Sequence, residues 1–201
     1  MTMELIYAFL IALANNVDTV GVRVAYSLKG IKVPFGINLW IAFIALVVSA
    51  LAAKSGQLMA LVLPGKLGNI VSMILLIMVG LWLILEPFFS RNKEQEAKGA
   101  NMLTILADPV EADRDNSKHI DLKEATILGI ALSLNNIGGG LSAGILGINP
   151  AVIGVLSAFI SILVFWMGNR LIGIIKHWNL GVRAPVAAGV LLIVIGIRQI
   201  F

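Results

Sequence analysis

The chain has no cysteine. Disulfides, thiolate metal sites and cysteine nucleophiles are therefore excluded, and the redox compartment leaves no trace in the sequence. Histidine is scarce too, and His119 and His177 are the two copies. Charge is equally thin: Asp, Glu, Lys and Arg make up 13% of 201 residues, against 59% hydrophobic residues. A soluble domain carries about a quarter charged residues. A soluble enzyme is thereby excluded, and an integral membrane protein embedded in a lipid bilayer is what remains. The apolar count, about 119 residues, meets the demand of about six spanning helices of ~20 residues each. A net charge of +4 would suggest nucleic acid in a soluble chain. Here the cations sit in short connections, where orientation in the bilayer explains them, so nucleic acid is not a partner.

Six apolar runs stand out: Met3 to Leu28, Phe35 to Leu58, Lys66 to Phe89, Leu122 to Leu146, Pro150 to Ile175 and Val182 to Ile200. Each can cross a ~30 Å hydrocarbon layer as a helix, and none alternates with period two, which excludes a β-barrel. The expected fold is an all-α integral membrane protein with six transmembrane helices. Glu4 stands where a signal peptide would be positive, and no small-residue cleavage site follows, so the first run is expected to be retained. Lys29, Lys32, Arg91, Lys93, Lys98, Arg114, Lys118, Lys123, Arg170, Lys176 and Arg183 fall on one side of this topology, and Lys54, Lys66 and Arg198 on the other. The richer side is expected to be cytoplasmic, which puts both termini outside the cytoplasm and the connection Ser90 to Asp121 within it.

The chain also resembles itself. Residues 12–31 (ALANNVDTVGVRVAYSLKGI) lie over residues 129–148 (GIALSLNNIGGGLSAGILGI) at an offset of 117, which aligns Gly21 with Gly138, Gly30 with Gly147 and Ile31 with Ile148. Residues 75–81 (LLIMVGL) lie over 191–197 (LLIVIGI) at an offset of 116. Two matches in the same order point to a duplicated unit, and an odd number of spans in each unit inverts one against the other. The expected organisation is a three-helix repeat over 1–89, a cytoplasmic linker over 90–121 and a second three-helix repeat over 122–201.

The aligned segments hold the least lipid-like residues. Asn15, Asn16, Asp18, Thr19 and Arg23 lie in the first run, and Ser133, Asn135 and Asn136 in the fourth. A carboxylate near the bilayer centre costs at least about 2.5 to 3.5 kcal/mol and must be paired, protonated or bound. On a continuous helix Asn15, Asp18 and Thr19 share one face, an oxygen-rich patch suited to a hard divalent cation such as Mn²⁺, Mg²⁺ or Ca²⁺. The bland alternatives are interhelical hydrogen bonding by the amides and an Asp18–Arg23 pair. Gly138, Gly139, Gly140 and Gly144 suggest close helix packing first and an unwound, carbonyl-exposing segment second. Ser157 and Ser161 read as packing residues before pore residues. Glu86, beside Pro87, suits the headgroup layer better than a gate. The four tryptophans, Trp40, Trp82, Trp166 and Trp178, mostly lie near run ends, as interfacial aromatics do.

Residues 113–124 (DRDNSKHIDLKE) resemble an EF-hand calcium loop, with Asp113, Asp115, Ser117, Asp121 and Glu124 at positions one, three, five, nine and twelve. Lys118 stands at position six, where glycine normally makes the turn. The alternative role for Asp121 and Glu124 is capping the fourth helix. Ca²⁺ or Mn²⁺ is the ion this loop would take.

The N-x-x-D-T-x-G-V core from Asn15, the following Y-S-L-K-G-I-K-V-P, and the segment from Asp121 through Gly147 resemble the bacterial manganese efflux pump family of the LysE-like superfamily, especially its YtaF-like sporulation membrane protein branch. The resemblance implies a six-helix exporter that moves Mn²⁺ out of the cytoplasm across the plasma (inner) membrane by alternating access. It implies acidic residues in the first and fourth spans. Asp18 falls on the first of these positions and Asn135 on the second, where the acid is replaced by an amide. Mn²⁺ is then a substrate, no prosthetic group is implied, and the protein is no enzyme. A homo-oligomer is compatible with all of this. The competing readings are a non-transporting sporulation-associated or scaffolding membrane protein, and an exporter of small solutes of the LysE type.

Overall fold

The computed structural model describes residues 2–63, 65–90, 112, 113, 115–178 and 180–198. The segment 91–111 and Arg114, within the expected linker, lie outside the described residues, as do the side chains of Glu86, Arg170, Lys176, His177, Trp178 and Arg183. The helices are α1 (Thr2–Asn15), α2 (Val17–Lys29), α3 (Phe35–Val62), α4 (Gly65–Ser90), α5 (Leu122–Ile145), α6 (Pro150–Trp178) and α7 (Leu180–Arg198). Among the described residues there is no strand, only an isolated bridge between Lys32 and His119. Five apolar helical spans are long enough to cross a membrane, and Pro185–Arg198 of α7 forms a shorter apolar helix.

The first run is not one helix. The Asn16 N–H turns to the Leu13 carbonyl (3.2 Å), while the Asn16 side-chain amide donates to the Ala12 carbonyl that the regular ladder would have used (2.8 Å). A side chain competing with its own backbone in this way interrupts the helix, and α2 restarts at Val17. The unwinding that a triple glycine suggests does not occur in the fourth span, where α5 runs unbroken through Gly138, Gly139 and Gly140.

Close backbone approaches fix the directions of the helices. Gly129 beside Ile44, Gly140 beside Ala52 and Gly144 beside Ala53 set α5 parallel to α3. Gly80 meets the Gly189 carbonyl, and Gly196 meets the Met73 carbonyl, so α4 and α7 cross antiparallel. Gly154 lies against Leu46 and Ala50, and the Asn38 amide donates to the Ile162 carbonyl (3.3 Å), which makes α6 antiparallel to α3. These directions alternate as successive crossings require.

Two connections close alike. Gly30 (φ 74°) ends α2 with the Ile31 N–H on the Tyr26 carbonyl (2.8 Å), and Gly147 (φ 78°) follows α5 with the Ile148 N–H on the Ala143 carbonyl (3.0 Å). This left-handed closure satisfies carbonyls that the helix end leaves open. The connection after α2 is also tied to the loop before α5, because the Lys32 N–H donates to the Lys118 carbonyl (2.8 Å) and the Ile120 N–H to the Lys32 carbonyl (3.1 Å). Lys29, Lys32, Lys118 and Lys123 therefore share one end of the bundle. At the opposite end the Gln57 amide donates to the Ile148 carbonyl (3.3 Å).

Candidate cation site

The buried apolar side chains fall into two clusters. One includes Ala8, Ile11, Ala14, Ala53, Leu76, Ala143, Ile153 and Leu192. The other includes Val22, Tyr26, Ile31, Ile41, Ile120, Leu128, Ala131 and Phe165. Along each of four spans, the stretch between the two clusters carries polar groups: Asn15 to Thr19 between Ala14 and Val22, Ser49 between Ile41 and Ala53, Ser133 to Asn136 between Ala131 and Ala143, and Ser157 between Ile153 and Phe165. A polar layer thus crosses the interior, closed above and below by hydrocarbon.

The helix break builds the acidic part of this layer. Asp18 stands in the first turn of α2 and is half-buried. One carboxylate oxygen accepts the Thr19 N–H (2.7 Å) and lies 3.4 Å from the Thr19 hydroxyl. A helix N-terminus carries partial positive charge, so restarting the helix here offsets part of the cost of a carboxylate at this depth. Asn15 ends α1, and a Cβ on Gly139 would run into its side-chain amide. Asn15, Asp18 and Thr19 do not share the face of one continuous helix, because the break at Asn16 divides them between α1 and α2.

The other expected residues are placed as follows. Asn16 and Thr19 are buried, as are Ser133 and Asn136, and Asn135 is half-buried. Both polar atoms of the Asn15 amide, the Asn136 Oδ1 and the Ser133 hydroxyl have no hydrogen-bond partner among the described residues. Leaving such an atom unmatched costs about 1–3 kcal/mol, which is why buried polar groups in native proteins nearly always have partners. The interhelical hydrogen-bonding reading does hold elsewhere: Ser72 and Ser142 exchange hydroxyl-to-carbonyl bonds of 3.3 and 3.4 Å between α4 and α5. Arg23 is buried and donates through Nε to the Phe165 carbonyl of α6 (3.0 Å). Trp40, Trp82 and Trp166 lie on the exposed, apolar exterior.

At the cation-rich end, the carboxylates of Asp113, Asp115 and Glu124 each bring an oxygen within 4.8 Å of the others. These are positions one, three and twelve of the EF-hand-like loop. Asp113 is 7% and Glu124 6% exposed. Lys118 adopts φ 60°, the left-handed conformation that glycine supplies at position six, and Asn116 adopts φ 54°. Ser117 donates its N–H to both Asp113 and Asp115 (3.0 Å each), and its hydroxyl donates to the His119 carbonyl (2.9 Å). Asp121 forms a capping box instead of joining the three: its carboxylate accepts the Glu124 N–H (2.8 Å), and Glu124 accepts the Asp121 N–H (3.0 Å).

Hydrogen bonds from the Ser117 hydroxyl and N–H hold the Asp115 carboxyl below the usual carboxylate range. A group depressed in the folded state adds stability that is fully present above its unfolded pKa, about 4, and is lost as pH falls through the folded value. The side-chain carboxyl carbon resonance of Asp115 is therefore expected to hold steady from pH 7 to about pH 4 and to move only below that. Movement already between pH 7 and 5 would contradict this.

A bundle of apolar helices crossing in alternate directions around a closed polar layer defines a multi-pass membrane protein. Residues 39–200 match the model of the Mntp family, described as "Putative manganese efflux pump", and the chain belongs to that family. It is also 28% identical over 211 residues to the "Probable sporulation protein YtaF" of Bacillus subtilis (strain 168), a match that covers 98% of this chain and 100% of that protein. The family match begins at Leu39, so α1, the break at Asn16 and Asp18 fall outside it, whereas the YtaF match spans nearly the whole chain. No solved structure matches.

Proposed function

We propose that the protein exports a divalent cation, Mn²⁺, from the bacterial cytoplasm across the inner membrane, binding it at Asp18 with Asn15, Asn16, Thr19, Ser133, Asn135 and Asn136 as neighbours. One observation carries this reading: a carboxylate and several buried polar groups, some of them without partners, form a layer between two apolar clusters in a member of a manganese efflux family. Alternating access follows if one cluster opens at a time. The Val22 to Phe165 cluster closes the cytoplasmic side and the Ala8 to Leu192 cluster the other, an orientation supported by the lysines at the first end.

The halves 1–89 and 122–201 are read as inverted repeats. Two relations support this. The Gly30 and Gly147 closures coincide bond for bond at the offset of 117. The Gly80–Gly189 and Met73–Gly196 approaches exchange with one another at the offset of 116, as a two-fold axis in the membrane plane demands.

The loop over 113–124 is read as a peripheral cation site on the cytoplasmic side, supported by three converging carboxylates and by the left-handed Lys118. Millimolar Ca²⁺ or Mn²⁺ is expected to slow proteolysis of this loop in the whole protein. Equal cleavage in metal and in chelator would leave Asp121 and Glu124 with capping alone.

Expression in a host that lacks its manganese exporter tests the main reading. Restored growth at toxic Mn²⁺, with lowered cell manganese, is expected. An inserted protein that restores neither would favour a scaffolding role.

A further inference from the structure

Serines inside apolar helices usually bond back to the carbonyl four residues earlier. This protein does so at Ser55, whose hydroxyl donates to the Leu51 carbonyl (2.9 Å), and Thr126 does likewise to Leu122 (2.7 Å). Ser49, six residues before Ser55 on the same helix, does not. Ser49 and Ser157 are both 0% exposed, and neither hydroxyl has a hydrogen-bond partner among the described residues. Both therefore forgo a local bond that their neighbours take, and both bear the cost of a buried oxygen unmatched among the described residues.

Their positions explain what they await. A Cβ on Gly140 would lie 3.1 Å from the Ser49 carbonyl, so Ser49 lies against α5 at the level between Asn136 and Gly140. The antiparallel contacts of Gly154 with Leu46 and Ala50 and of Asn38 with Ile162 bring Ser157 level with Ala45, about one helical turn nearer the lysine-rich end than Ser49. Both residues fall between the two apolar clusters on their own spans, in the layer that holds Asp18. Asp18 is the sole carboxylate of that layer among the described residues, so a divalent cation there needs neutral oxygens to replace the hydration water it sheds on entry.

We propose that Ser49 of α3 and Ser157 of α6 complete the cation site as neutral oxygen ligands, so that four spans rather than two surround the ion. This assignment rests on the cation-export reading and extends it to the second and fifth spans. Hydroxyl and amide oxygens facing one carboxylate make a hard, weakly charged site, and it holds the ion through ligand number more than through charge.

Mn²⁺ uptake into inverted vesicles tests this with Ser49→Ala and Ser157→Ala, each of which deletes one atom and can create no clash. Each is expected to raise the KM for Mn²⁺ about tenfold with unchanged or higher thermal stability, because an orphaned hydroxyl is removed from the fold and a ligand from the site. Ser49→Cys adds a second readout that a packing role would not move. A softer sulfur in a chain without other thiols should lower the Cd²⁺ concentration that inhibits Mn²⁺ uptake by about tenfold. Wild-type uptake with unchanged KM in both alanine variants and unchanged Cd²⁺ inhibition in Ser49→Cys overturns this assignment alone. Wild-type vesicles that take up no Mn²⁺ overturn the export reading and this assignment with it.

Discussion

Asp18→Asn is expected to abolish Mn²⁺ uptake into inverted vesicles while leaving the protein inserted and folded. The amide keeps the shape of the carboxylate and removes its charge. Losing the charge-assisted contact alone would lower affinity about ten- to a hundredfold, and the larger cost of holding a divalent ion in the apolar interior with no compensating charge removes the remaining uptake. The fold should not suffer. A charge at this depth is itself costly, and its removal leaves thermal stability equal or raised. If Asp18 served only to cap α2, the same variant would instead lose stability and retain transport. Asn135→Asp tests the counterpart position: a second carboxylate should tighten Mn²⁺ binding or shift ion preference.

Gly144→Val should have the largest structural effect. A Cβ on Gly144 would collide with the Ala53 carbonyl and lie 2.9 Å from the Gln57 nitrogen, and Gly56 of α3 presses in turn on the Leu141 carbonyl. Both opposing atoms are helix backbone, which cannot turn aside as a side chain could. Overpacking costs about 1–3 kcal/mol where side chains can yield, and here the upper end applies. In a chain of this size that is roughly a 5–10 °C fall in melting temperature in detergent. Gly21→Ala provides the control, since nothing lies within 4 Å of a Cβ there and alanine favours a helix. Equal melting of Gly144→Val and wild type would show that α3 and α5 do not meet as described.

The spans were legible because crossing hydrocarbon demands a length of apolar chain that little else in a sequence imitates. The break at Asn16 was not. Hydropathy treats Met3 to Leu28 as one run, and the interruption depends on one amide choosing the Ala12 carbonyl, a local competition that apolar periodicity does not register. The glycine triplet serves the close packing that the sequence suggests first: α5 stays helical there, with the α3 backbone at Ser49 and Ala53 and the Ala52 side chain against Gly140. In the loop, the spacing of Asp113, Asp115 and Glu124 was readable, and Lys118 counted as a defect. The backbone nevertheless takes the left-handed turn with lysine, while Asp121 is drawn into the capping box. Asn15, Ser133 and Asn136 were legible as polar residues in apolar runs. Ser49 was not, since a single hydroxyl among alanines and valines carries no pattern, and its missing partner shows only when the neighbouring helices are in place.

Purified protein reconstituted into liposomes that enclose a Mn²⁺-quenched dye gives the most direct test of cation transport around Asp18. Wild-type protein should quench the dye on addition of Mn²⁺, and Asp18→Asn should behave as empty liposomes do. Quenching by the variant at the wild-type rate and Mn²⁺ dependence would contradict the account.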